Sequence, residues 1–78
     1  MSGSKNNVNL LKLKGRIVDT IPGTKFVVEV DLKSRKHQLI AYISGKMRMY
    51  YIKLQIGDEV DVEVSPYDLT KGRITYRH

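Results

Sequence analysis

Three cations, Lys46, Arg48 and Lys53, stand among three tyrosines, Tyr42, Tyr50 and Tyr51, in the short stretch YISGKMRMYYIKL (residues 42–54). Cations neutralise phosphates and planar side chains stack on exposed bases, so residues of these types at this spacing point to nucleic acid. Further cations recur in alternation elsewhere: Lys12, Lys14 and Arg16 early in the chain, and Lys71, Arg73 and Arg77 near its end. From Lys33 to Lys53 there is no acid, whereas Asp58, Glu59, Asp61, Glu63 and Asp68 crowd the following segment. Charge is therefore divided along the chain, and the division predicts one basic face and one acidic face.

Catalytic chemistry finds little to work with. His37 lies in a basic segment and His78 is terminal, and neither has a neighbour at metal-ligand spacing. No nucleophile elbow, phosphate-binding glycine loop or zinc motif occurs. The carboxylates alternate along strand-like runs, where solvation of an outer face explains them. The expectation is a binding protein, not an enzyme, with no cofactor and no metal.

With 78 residues, 14 Lys plus Arg and 8 Asp plus Glu, the chain carries a formal charge of +6. That length supports one small core, and the absence of cysteine leaves no disulfide to reinforce it and fits a reducing cytoplasm. No apolar run approaches the ~20 residues needed to cross a bilayer, and the N-terminal residues lack the apolar segment of a signal peptide. Residues 1–7 read as a flexible tail and residues 8–78 as a single RNA-binding domain.

The elements that must position these cations are mostly strands. LKLKGRIV, FVVEVDL, VDVEV and GRITYR each alternate apolar and polar residues, the mark of a strand with one wet face. Phe26, Val28, Val30 and Leu32 share a core face, as do Val60, Val62 and Val64, and Tyr76 is expected to pack inward beside Ile74. QLIAYI is apolar on both faces, which predicts a central or covered strand. IPGT, LKSRK and QIGDE supply turn chemistry between the strands. Between the third and fourth strands, Ile43, Met47, Tyr50 and Leu54 recur at helical spacing, with Ser44 placed to cap a short helix. The layout is an all-β, five-stranded OB-fold barrel with a short helix between strands three and four.

Four segments, GRIVDTIPGTKFVVEV, ISGKMR, YIK and GDEVDVEVSPYDLTKGRITYR, together resemble bacterial-type translation initiation factor one, in nearly unbroken register from about Leu10 to Arg77. The resemblance implies an OB-fold that binds the small ribosomal subunit at the aminoacyl-tRNA site, against small-subunit rRNA and a neighbouring ribosomal protein. There it excludes premature tRNA and supports the other two initiation factors in selecting initiator tRNA and the start codon. It implies RNA contacts by Lys46, Arg48, Lys53, Lys71, Arg73 and Arg77, with Gly23, Thr24 and Lys25 of the first hairpin loop as further candidates. Tyr51 joins them as a candidate, and for Tyr51 and Met49 stacking on RNA and packing on the barrel both stay open. The chain departs from the family pattern at Lys53, where arginine is usual, at Met49 and Tyr50, and in a longer, more basic hairpin over residues 31–38. A monomer is expected. The alternatives are a cold-shock-type chaperone of single-stranded RNA and a protein-interaction module built on the acidic segment 58–68.

Overall fold

Period-two alternation becomes a closed sheet in the computed structural model, which describes residues 9–49 and 53–78, and of Lys46 the backbone alone. Five strands form: β1 (Leu11–Ile21), β2 (Lys25–Leu32), β3 (Arg35–Ile43), β4 (Glu59–Ser65) and β5 (Asp68–Arg77). They close in the order β1-β2-β3-β5-β4, with β4 returning to β1. The pairs are antiparallel except β3 with β5, which run parallel. A closed barrel leaves no long edge to recruit another chain. This is the OB-fold barrel that the strand pattern predicts.

The inward faces are those the alternation marks. Ile17, Val28, Val60, Val62 and Ile74 are fully buried, and Phe26 lies in the same core at 8% exposure. Two glycines sit where strands approach too closely for a side chain. A Cβ on Gly15 would fall 2.6 Å from Val28 Cγ1 and 2.8 Å from the Glu29 carbonyl oxygen, and one on Gly72 would fall 2.8 Å from Val64 Cγ1. β1 is long enough to pair with β2 on one side and β4 on the other, and Gly15 is a residue shared by both registers. Its missing side chain is what lets the strand bend across the core.

The helix is shorter than its apolar stripe predicts. α1 is described over Gly45–Met49, and Met47 is the residue in it that plugs the core, at 2% exposure. Ile43 ends β3 and Leu54 follows the undescribed residues 50–52; both are half-buried against the core from outside the helix. Tyr50, the remaining member of the stripe, lies outside the described residues. Ser44 caps the helix as expected: the Met47 amide donates to its Oγ at 3.3 Å, and the Arg48 amide to its carbonyl at 3.0 Å.

Two expectations are corrected. Tyr76 is not a core residue but is 57% exposed, its ring edge-on to His78 at a centroid distance of 5.0 Å. The cause is a β-bulge: Asp61 pairs with Tyr76 but Val62 pairs with Ile74, so Thr75 is the extra residue and the alternation of faces slips by one. β3 is central, paired with β2 on one side and β5 on the other, but it is not covered: Ile40 and Tyr42 on its outer face are 37% and 48% exposed while Leu39 and Ala41 fill the core. No described helix is long and apolar enough to cross a membrane.

Candidate nucleic-acid interface

Charge segregation along the sequence becomes charge pairing in the barrel. β4 carries Glu59, Asp61 and Glu63 outward and is hydrogen-bonded to β1, whose Arg16, Lys14 and Lys12 face those acids in register. Arg16 reaches Glu59 at 3.3 Å. On the other side, Arg73 of β5 meets Glu63 at 3.2 Å, and His78 meets Asp61 at 2.7 Å. The acidic run thus fills a stripe between two basic ones, and the predicted acidic face is largely neutralised where it lies. Such exposed pairs add little stability, so the consequence is for the surface potential.

The positive field survives elsewhere. Among the described residues, Lys12, Lys14, Lys25, Lys33, Arg35, Arg48, Lys53, Lys71 and Arg77 are exposed and form no ion pair, and Lys25, Arg48, Lys53, Lys71 and Arg77 of these are site candidates from the sequence. Lys25 opens β2 directly after the turn in which Gly23 and Thr24 adopt positive φ, 91° and 66°. In register it faces Tyr42, which faces Arg73 on the far side. Lys71 pairs with Ile40, two residues along the same two strands. Arg48 lies on α1, tied to the same end of the barrel by the Ser44 amide donating to the Ile74 carbonyl at 3.0 Å. Arg77 donates from Nη1 to the Lys53 carbonyl at 2.9 Å, joining the end of β5 to the chain that leaves the helix. Candidates far apart in sequence, in the β1–β2 turn, α1, residue 53 and β5, therefore sit on adjoining elements. For Lys46 the backbone is in α1, and Tyr51 lies outside the described residues. Met49 is 68% exposed, which answers one open choice in favour of the surface.

Tyr42, read from the sequence among the tyrosines that stand beside cations, is on this surface, and with it Ile40, which the pattern of QLIAYI assigns to a central or covered strand. Their signal is present in the apolar residues on the outward parity of QLIAYI, but the same signal reads equally well as burial. Those two side chains, with Lys25, Thr70 and Lys71, line a hollow of about 380 Å³. A second hollow of about 320 Å³ opens on the other side of Tyr42, bounded by Leu10, Lys71 and Arg73 among others.

His37 is structural: its half-buried ring donates from Nε2 to the Leu69 carbonyl at 2.6 Å, fastening the long β2–β3 hairpin to the start of β5. The hairpin tip turns through Lys33 and Ser34, both at positive φ (48° and 70°). In the β4–β5 turn, the Thr70 hydroxyl and amide both donate to Asp68 Oδ1, at 2.5 and 3.0 Å. The hydroxyl bond, then the amide bond, hold the Asp68 carboxyl below its usual value of 3.8. A carboxyl depressed in the folded state stabilises the fold above the unfolded value and loses that contribution as pH falls through its folded value. Replacing Thr70 by valine is expected to raise the Asp68 titration midpoint towards 3.8, read from the side-chain carboxyl chemical shift. An unmoved midpoint would assign the depression to another group.

The family model for translation initiation factor 1A / IF-1 matches residues 6–78, essentially the whole barrel. The chain belongs to that family. Its barrel superposes on the solution structure of the bacterial-type translation initiation factor one from the Wolbachia endosymbiont strain TRS of Brugia malayi with a TM-score of 0.69. The two are 35% identical over 100% of this chain and 88% of the other, which places the chain with the bacterial-type factors. YjeQ from Thermotoga maritima matches at a TM-score of 0.67 and 22% identity, over 87% of this chain and 23% of that one. That likeness extends to the fold alone. Two segments that resemble the translation initiation factor 1A / IF-1 family, SGKMR and PYDLTKGRI, fall on Ser44 with α1 and in the β4–β5 hairpin.

Proposed function

We propose that this initiation factor works by occupancy: it binds the small ribosomal subunit at the aminoacyl-tRNA site through small-subunit rRNA and excludes tRNA by its bulk. The observation that supports the reading is that Lys25, Arg48, Lys53 and Lys71, four of the exposed cations without acid partners, stand on elements linked to one another: β2 and β5 through β3, α1 through the Ser44–Ile74 bond, and residue 53 through Arg77. Folded RNA is the partner that such a rigid, positively charged surface fits, because each phosphate neutralised releases condensed counterions. A neighbouring ribosomal protein completes the contact. The acidic β4 stripe, already matched by β1 and β5, is left with little charge to offer a basic protein partner.

In this reading no bond is made or broken. A monomer in the cytoplasm delivers a preformed surface, and the other two initiation factors gain from the narrowed choice of tRNA: with the aminoacyl site filled, initiator tRNA is selected at the neighbouring site over the start codon. The test is competition on purified small subunits between this protein and a tRNA directed to the aminoacyl site.

A further inference from the structure

The β2–β3 hairpin ends in a two-residue turn, Lys33 and Ser34, both at positive φ (48° and 70°). Positive φ at both positions suits the twist of two antiparallel strands, and Asn-Gly adopts it most easily. Lysine and serine adopt it against the clash of their own Cβ atoms, so the tip keeps a cation and a hydroxyl where stability alone would place neither. Arg35 follows at once, in register with Leu32, and Lys33 and Arg35 are both exposed without an ion pair. The carboxylate nearest the tip in sequence, Asp31, is taken by Lys36 at 3.1 Å. The tip is also held in place: ladder pairing runs up to Leu32 and Arg35, and the His37 ring ties the hairpin to the Leu69 carbonyl at 2.6 Å. β2 runs eight residues from the β1–β2 turn, so the tip stands about 25 Å from Lys25. That is about three Debye lengths at physiological salt, and the tip is a charge centre of its own.

From this arrangement we infer that the hairpin tip is a second, separate RNA contact: Lys33 and Arg35, with the Ser34 hydroxyl between them, hold the phosphate backbone of an RNA segment at the barrel end opposite α1. The partner is read from what the tip offers and what it lacks. An acidic protein would find the cations but no apolar anchor, since Leu32 is half-buried against the core and residues 33–36 are all polar. Protein interfaces centre on such an anchor and are depleted in lysine. A phosphate backbone asks only for lysine, arginine and hydroxyl donors, and such contacts fix position without reading bases. The hollow of about 460 Å³ farther along β2 does not compete for it. There Lys14, Arg16 and Lys36 share the lining with Glu29, Asp31 and Glu59, so an anion meets no net charge. A tip already held by its ladder and by His37 loses little freedom on binding.

The contact rests on the RNA-binding reading above and adds to it a place outside the family-derived site. Its test compares two variants, Lys33→Gln with Arg35→Gln and Lys33→Asn with Ser34→Gly, with the native protein on intact small subunits. The readouts are equilibrium binding across a salt series and hydroxyl-radical cleavage of the subunit RNA backbone at saturating protein. The first variant is expected to make the log–log slope shallower by about 1.4–1.8 and to weaken binding roughly 25- to 60-fold near 0.1 M salt. The second loses one cation, so its slope becomes shallower by about 0.7–0.9, yet it melts higher than the native protein because Asn-Gly suits the turn. Weaker binding by a more stable protein is not misfolding. Both variants should expose one stretch of RNA backbone that the native protein protects, and leave intact the protections that Arg48→Ala with Arg73→Ala removes. Unchanged slopes in the two hairpin variants overturn the contact. Weaker binding with every RNA protection retained would assign the tip to a protein neighbour and overturn it as well. Loss of the same protections that Arg48 and Arg73 govern would make the two sites one, and also overturns it. If the native protein protects no RNA backbone, the RNA-binding reading itself fails, a result distinct from all of these.

Discussion

Replacing Arg48 and Arg73 together by alanine is expected to weaken binding to the small subunit by roughly 100-fold or more, because two charge-assisted contacts are lost, each contributing about 1.5–3 kcal/mol. The salt dependence reports the mechanism. If about five phosphates are contacted, the log–log slope lies near −3 to −5, and each contact removed makes it shallower by about 0.7–0.9. The two single variants are not expected to be equal. Arg48 stands on α1 without an ion pair, whereas Arg73 neutralises Glu63 at 3.2 Å. Arg73→Ala therefore removes a cation and also leaves a carboxylate facing the RNA, so its loss exceeds that of Arg48→Ala. Adding Glu63→Gln to Arg73→Ala should recover the excess. Native affinity in the double variant would remove both arginines from the interface even though the family stands.

The second large effect concerns the barrel. Gly15→Ala is expected to destabilise the fold by about 3 kcal/mol or more, at the upper end of what overpacking costs. The new methyl would meet two valine side chains and, decisively, the Glu29 carbonyl oxygen at 2.8 Å, which is backbone and moves only if β2 moves. For a domain of this size the melting temperature falls by roughly 4–8 °C per kcal/mol. Gly45→Ala is the contrasting case: nothing lies within 4 Å of the added Cβ, and the position begins α1. There the same substitution is expected to stabilise by about 0.4–1 kcal/mol through the unfolded chain and helix propensity. Thermal unfolding of the two variants, shifted in opposite directions, checks both. A Gly15→Ala protein as stable as the native one would mean the strands can separate there at little cost.

Element existence and the inward faces were legible because alternation is a local property: Val60, Val62 and Val64 could only be a core face with Asp61 and Glu63 outside. What escaped depends on register. Tyr76 lost its parity to a bulge between Asp61 and Val62, set by how two strands meet and marked by nothing in GRITYR itself. The apolar outer residues of β3 looked like burial because a covered strand and an exposed binding face read identically until the neighbours are known. Here those neighbours are Lys25 and Arg73, brought from opposite ends of the chain. The acidic run 58–68 looked like a separate face for the same reason, and pairing with β1 and β5 turned it into the filling between two basic stripes. The candidate cations were legible through the resemblance and Tyr42 from its place among them; which strands set Lys25, Tyr42 and Arg73 side by side was not.

Occupancy of the aminoacyl-tRNA site is the central claim, and competition measures it. Labelled protein is titrated onto purified small subunits carrying a messenger, with and without a tRNA held at the aminoacyl codon. Occupancy predicts that the apparent dissociation constant rises linearly with tRNA concentration, with both ligands never bound to one subunit. Simultaneous binding of the two at undiminished affinity would contradict it.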